Sequence, residues 1–221
     1  MPARTPAPTR ETPIEERAPE IIRRLSDAYP DAHVALRFET PLECLVATIL
    51  SAQCTDERVN EVTATLFRKY RAPEDYLRVP EDELKIDIKP TGFFNQKAAS
   101  IRAACDRIVE VYGGVVPDTM EDLTTLRAVA RKTANIVMGN AYGKVEGVAV
   151  DTHVKRVSNR LGFSSSEDPI AIEQDLMRLV PRHRWFDFTY VLIDHGRAIC
   201  VARRPKCDRC PVSELCPASW A

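Results

Sequence analysis

The chain has 221 residues, 44% hydrophobic and 29% charged, with 31 Lys and Arg against 32 Asp and Glu. Such a composition has room for one large or two modest cores and excludes low-complexity and collagen-like chains. No run of about 18 apolar residues occurs, and the opening "MPARTPAPTRETP" lacks the apolar stretch of a signal peptide; the expectation is a soluble, cytoplasmic protein.

In chain order, the prolines at 2, 6, 8, 13 and 19 mark residues 1–19 as a disordered tail. A first helix is predicted over 18–29. In "TPLECLVATILSAQCTD", Thr40 and Glu43 read as a capping box around Pro41, and Leu42, Leu45, Val46, Ile49 and Leu50 share one face. Asp56 reads as the cap of the next helix, with Val59, Val62, Leu66 and Tyr70 inward. Ile101, Cys105, Ile108 and Tyr112 mark another, stopped at Gly113-Gly114. Further helices are predicted at 74–79, 81–86, 120–126, 131–142, 152–161, 168–180 and 184–199. Period-two alternation is nowhere sustained, so the expected class is all-α.

The net charge of −1 hides an uneven distribution. Residues 127–160 and 197–209 together hold 12 basic and 3 acidic side chains, leaving a net of −10 on the other 174 residues. A basic surface on an acidic body suits a polyanion-binding protein, although a cluster of solvated cations gives the same count.

Four of seven cysteines close the chain in "CVARRPKCDRCPVSELC". Cys200, Cys207, Cys210 and Cys216 suit tetrahedral zinc or an iron-sulfur cluster, and the wide outer gaps lean toward a cuboidal [4Fe-4S] cluster without excluding zinc. The loop between the first two presents Arg203, Arg204 and Lys206 to a phosphate, or merely offsets thiolate charge.

Arg131 and Lys132 fall in the first turn of the helix predicted after "LRAVA", where exposed N–H groups favour a phosphate. Lys132 is a nucleophile or an ordinary solvated lysine; the neighbouring cation disfavours its ammonium form. Asp151, in "VAVDTHVKRVSNR", reads as a helix cap whose carboxylate can also move a proton, with His153 supporting the fold.

Together "LVATILSAQCTDERVN", "GFFNQKAASI", "VPDTMEDL", "RKTAN", "AVDTHVKRVSNR" and the cysteine segment resemble the endonuclease III family of helix-hairpin-helix DNA glycosylases, in family order, over nearly everything from about residue 20. The resemblance implies a six-helix barrel over 34–145, with the hairpin at about 120–142, and a second domain from 20–33 plus 146–221. It implies a [4Fe-4S] cluster on Cys200, Cys207, Cys210 and Cys216. The implied partner is double-stranded DNA with damaged bases or abasic sites, engaged across a groove by a monomeric, nucleoid-associated enzyme. Lys132 would be the amine nucleophile and Asp151 the catalytic carboxylate; Gln53 and Phe93 would enter the duplex, and the hairpin Arg127, Ala128, Val129, Ala130 and Arg131 would contact its backbone. Retention of Lys132 points to the bifunctional branch that removes oxidised pyrimidines and cuts by β-elimination.

One departure stands out. Where the family hairpin reads Leu-Pro-Gly-Val-Gly-Arg-Lys, this chain has Leu126-Arg127-Ala128-Val129-Ala130-Arg131-Lys132. Alanine costs about 1 kcal/mol wherever the backbone is left-handed, which predicts weaker DNA binding. Two other readings are a catalytically poor DNA-binding paralogue and an electron-transfer protein that uses the cluster alone; the second leaves the basic segments and Lys132 without a purpose.

Overall fold

The computed structural model describes residues 8–221. Among them are eleven α-helices and no strand: α1 (Ile14–Ala28), α2 (Pro41–Leu50), α3 (Asp56–Lys69), α4 (Pro73–Arg78), α5 (Glu81–Ile88), α6 (Phe94–Tyr112), α7 (Met120–Leu123), α8 (Arg131–Tyr142), α9 (Thr152–Leu161), α10 (Pro169–Leu179) and α11 (Trp185–Ala198). The class is all-α, and among the described residues no helix is long and apolar enough to cross a membrane. The helices form two compact units, one from Val34 to Glu146, the other from the chain's two ends, through His33 and from Gly147 onward.

In the first unit α2 is central. Cys44 through Leu50 are all buried, more than the one face that the spacing of its leucines predicts, because α3, α6 and α8 pack around it. A helix apolar on every side belongs in a core. Its start uses Thr40, whose hydroxyl accepts from the Glu43 N–H at 3.2 Å. The Glu43 carboxylate accepts from Glu39 N–H at 2.6 Å, one residue earlier than in an ordinary capping box. At α3 the cap is Thr55, not Asp56: its hydroxyl accepts from Arg58 N–H at 3.3 Å and Asp56 becomes the first helical residue. Along α6, Ile101, Cys105 and Ile108 are buried, and the helix ends on left-handed Gly113 and Gly114 as their sequence suggests. α7 is shorter than the predicted 120–126; after Leu123 the chain turns, with Leu126 N–H donating to Leu123 O at 3.1 Å.

The second unit corrects the amino-terminal tail. Residues 1–7 lie outside the described residues, but α1 begins at Ile14, inside the stretch expected to be disordered. Pro13 stands just before the helix, where its fixed φ does no harm, and Pro19 removes one internal hydrogen bond. Proline content concealed a stripe, Ala18, Ile21, Ile22 and Leu25, that packs against Val154, Val157, Leu176 and Phe188. Arg17 is buried with it, 4% exposed. Its Nη1 donates to Leu161 O at 2.5 Å and Leu215 O at 2.8 Å, and its Nε to Thr12 O at 3.0 Å. Elsewhere in this unit Gly196 lets α9 and α11 approach closely: a Cβ there would stand 3.1 Å from the His153 Cβ and 3.2 Å from Arg156 Nη2.

Candidate functional site

In the first unit, the loop after α2 and the turn before α6 carry Gln53 and Phe93. Both are exposed and both have left-handed backbones, φ 53° at Gln53 and 47° at Phe93. Gly92 just before Phe93 has φ 70° and ψ 163°, a conformation reserved for glycine. Holding a large aromatic 57% exposed on strained backbone costs free energy that burial does not return. The two loops share an anchor that sequence reasoning missed. Lys97, only 4% exposed, donates from Nζ to Leu50 O at 2.7 Å, at the end of α2, and to Thr91 O at 2.8 Å, before Gly92. Burial lowers the pKa of this ammonium, while the carboxyl end of α2 supplies partial negative charge that favours it.

The hairpin joins α7 to α8. Leu126 and Val129 are buried and anchor it, while Arg127, Ala128 and Ala130 are exposed. Val129 N–H donates to Leu126 O at 3.1 Å, so this amide closes the turn instead of facing outward. The two alanines differ. Ala128 has φ 65°, left-handed, whereas Ala130 has φ −87° and ψ 172°, extended backbone that any residue adopts. The expected alanine penalty therefore falls on Ala128 alone. Ala130 precedes α8 without a side chain able to cap it, so no side-chain cap engages the backbone N–H groups of the first turn. Arg131 is half-buried and Lys132 exposed on that turn.

In the second unit Asp151 caps α9. Its Oδ1 accepts from the N–H groups of His153 and Val154, each at 2.8 Å. Both bonds use the one oxygen, which orients the carboxylate and leaves Oδ2 for another partner; capping and chemistry do not compete here. Arg156 ties this helix to the cysteine segment, donating to Gly196 O at 2.9 Å and Cys200 O at 3.0 Å while touching His153 Nδ1 at 3.1 Å. His153 is thus held by its neighbours, its pKa lowered by burial against the pull of Asp151.

Cys200, Cys207, Cys210 and Cys216 line one cavity, with Arg160 and His195 beside them. Burial, then the neighbouring Cys216, Cys200 and Cys207, pushes the Cys210 thiol up to about 11, and Cys216 is raised for the same reasons. Thiols so placed ionise together only with cations between them, which is what ferric and ferrous ions supply. Among the described residues no three His, Cys, Asp or Glu side chains are arranged to hold a single ion. Tetrahedral zinc needs sulfurs within about 4 Å of each other, whereas a cuboidal cluster, one iron per thiolate, accepts a wider set, and four thiols lining one cavity match that group in donor chemistry.

The loop between Cys200 and Cys207 is pinned. Arg160 donates to Val201 O at 2.8 Å and Ala202 O at 2.9 Å, and its Nη1 lies 3.4 Å from Cys200 Sγ. Lys206 Nζ donates to Ala198 O at 2.9 Å at the end of α11, one of its three donors, while the side chain stays exposed. Arg203, Arg204 and Lys206 are all exposed cations of the loop, and Arg204 is left-handed, φ 54°. Other members of the basic segments are also engaged internally: Lys144 pairs with Asp118 at 2.5 Å and Lys155 with Glu167 at 2.6 Å. The cationic surface is smaller than the count of residues implies.

Residues 46–182 match the HhH-GPD superfamily of base excision DNA repair proteins, and residues 200–216 the iron-sulfur binding domain of endonuclease III. The chain is 50% identical over 207 residues to an endonuclease III of Synechocystis sp., covering 94% of both chains. It is 47% identical over 194 residues to that of Bacillus subtilis, covering 87% of this chain and 88% of the relative. A solved structure described as a non-covalent endonuclease III–DNA complex superposes with a TM-score of 0.89 at 40% identity, covering 94% of this chain and 97% of that one. This chain belongs to the endonuclease III family, and its cofactor is a [4Fe-4S] cluster.

Proposed function

We infer that the protein is a base-excision-repair DNA glycosylase and abasic-site lyase that removes oxidised pyrimidines from double-stranded DNA, acting as a monomer on the chromosome of a bacterial cytoplasm. One observation supports the DNA-facing residues above others. Among the described residues the non-glycine positions with left-handed backbone are Gln53, Phe93, Ala128 and Arg204, one in each loop or turn assigned to the duplex. Strain of about 1–3 kcal/mol per residue persists where function requires it, and chance would scatter it over other turns.

In this reading Gln53 and Phe93 fill the space left by a flipped nucleotide, and the start of α8, with Arg127 and Arg131, holds a backbone phosphate. Arg203 and Arg204 hold another. Lys132 adds its amine to C1′ of the deoxyribose as the glycosidic bond breaks, and the base departs with the bonding electron pair. Asp151 takes up the proton released from the amine, using the oxygen not bound to its own helix, and stabilises the developing cation. Sugar-ring opening gives an imine that acidifies the 2′ hydrogen; its removal expels the 3′ phosphate and cuts the strand. Cys200, Cys207, Cys210 and Cys216 ligate the cluster, which when bound fixes the fold of the segment presenting Arg203 and Arg204.

The test is base release and strand cutting on a thymine-glycol duplex and on an abasic duplex. Both are expected, and Asp151→Asn should slow base release by roughly 10²- to 10⁴-fold with its cap retained. An iron-loaded protein that cuts neither duplex overturns the reading.

The alanine hairpin lowers activity by way of Ala128. Replacing it with glycine removes a Cβ from exposed left-handed backbone, and the relieved strain of about 1 kcal/mol adds to folding stability. The change also lets that backbone approach a phosphate more closely, so Ala128→Gly should tighten binding to an abasic duplex about fivefold, roughly one backbone hydrogen bond. Ala130→Gly should not. Equal gains from the two, measured by fluorescence anisotropy, would remove this explanation.

A further inference from the structure

One buried histidine beside the cysteines has both ring nitrogens engaged. His195, in the last turn of α11, is 1% exposed. Its Nδ1 lies 3.1 Å from the Tyr29 hydroxyl and its Nε2 lies 3.7 Å from Cys210 Sγ. The two rings meet edge-on, centroids 5.7 Å apart at 74°. A phenol donates or accepts, but a metal-bound thiolate only accepts. One proton arrangement satisfies every atom in the chain: the Tyr29 O–H donates to Nδ1 and the Nε2–H donates to the Cys210 sulfur. In the other tautomer lone pairs on Nε2 and sulfur would face each other in a site closed to water. Tyr29 is the residue that ends α1, so the amino-terminal helix holds the imidazole in its donating form.

We propose that His195 is a positioning residue for the iron-sulfur cluster, donating a hydrogen bond to the Cys210 thiolate with its tautomer held by Tyr29, and that this bond raises the cluster's reduction potential. Reduction adds negative charge that spreads onto the ligand sulfurs, so a donor there stabilises the reduced form more than the oxidised one. The proposal rests on Cys210 being a ligand.

Film voltammetry of the full-length, iron-loaded protein tests it, with iron content measured on every sample. His195→Phe keeps the bulk and removes the donor; its potential should fall at full iron content. His195→Gln places an amide N–H near the position of Nε2 and should restore most of the loss, which a purely space-filling role would not produce. Tyr29→Phe should give a smaller fall. A wild-type potential in iron-replete His195→Phe overturns the proposal. Should that variant fail to load iron, Tyr29→Phe decides: a lowered potential supports the proposal and an unchanged one overturns it. Cys210→Ala checks the ligand reading separately, since retention of a full cluster there would refute that reading whatever the histidine variants show.

Discussion

Replacing Lys132 with alanine is expected to abolish the adduct trapped by borohydride on an abasic duplex and to slow strand cutting by at least about 10³-fold, the usual cost of removing a nucleophile. The side chain stands exposed on the first turn of α8, where a sugar can reach it without any rearrangement of the core. A phosphate contact would sit on the same turn, so the alanine variant alone does not separate the two roles. Lys132→Arg does. Arginine keeps the charge but its guanidinium stays protonated and forms no imine near neutral pH. Binding of Lys132→Arg to an abasic duplex should remain within about threefold of wild type, a difference below about 0.7 kcal/mol, while trapping disappears. An adduct surviving in either variant would mean that another amine does the chemistry.

Replacing Arg17 with methionine should destabilise the cluster-bearing unit by about 3 kcal/mol and lower the midpoint of thermal unfolding by roughly 10 °C. The guanidinium reaches three backbone carbonyls from inside the unit, and Leu215, one of the acceptors, immediately precedes Cys216. Methionine fills part of the volume but leaves those carbonyls without their donor. Iron should be lost more readily from this variant, since the segment carrying Cys216 loses its tie to α1. Deletion of residues 1–19 sharpens the point. A disordered tail could be removed without effect, whereas the loss of Arg17 and Ala18 from the packed helix should unfold the unit or empty it of iron. Unfolding midpoint and iron content at wild-type levels in the deletion would restore the tail reading.

These outcomes trace what local sequence can carry. Helices such as α2, α6 and α9 were legible because a core face repeats with the helical period and because Thr40, Gly113 and Asp151 mark ends chemically. The cysteine spacing was legible for a similar reason: four ligands on one short segment leave few geometries open. Lys97, His195 and Arg17 were not. Each is a polar side chain whose partners lie on other elements, Leu50 for Lys97, Tyr29 for His195 and Leu161 for Arg17. A lysine that will be buried reads like one that will be solvated.

The amino-acid order by itself determined the all-α class, most helix positions, the cluster motif and the family resemblance carried by "RKTAN" and "AVDTHVKRVSNR". Tertiary structure alone decided where α1 begins, which cations face outward, and that of two hairpin alanines only Ala128 is left-handed. The division has one physical cause. Periodicity and capping act within a few residues along the chain, while burial of a polar group and the sign of φ in a turn are settled by contacts between segments far apart in sequence.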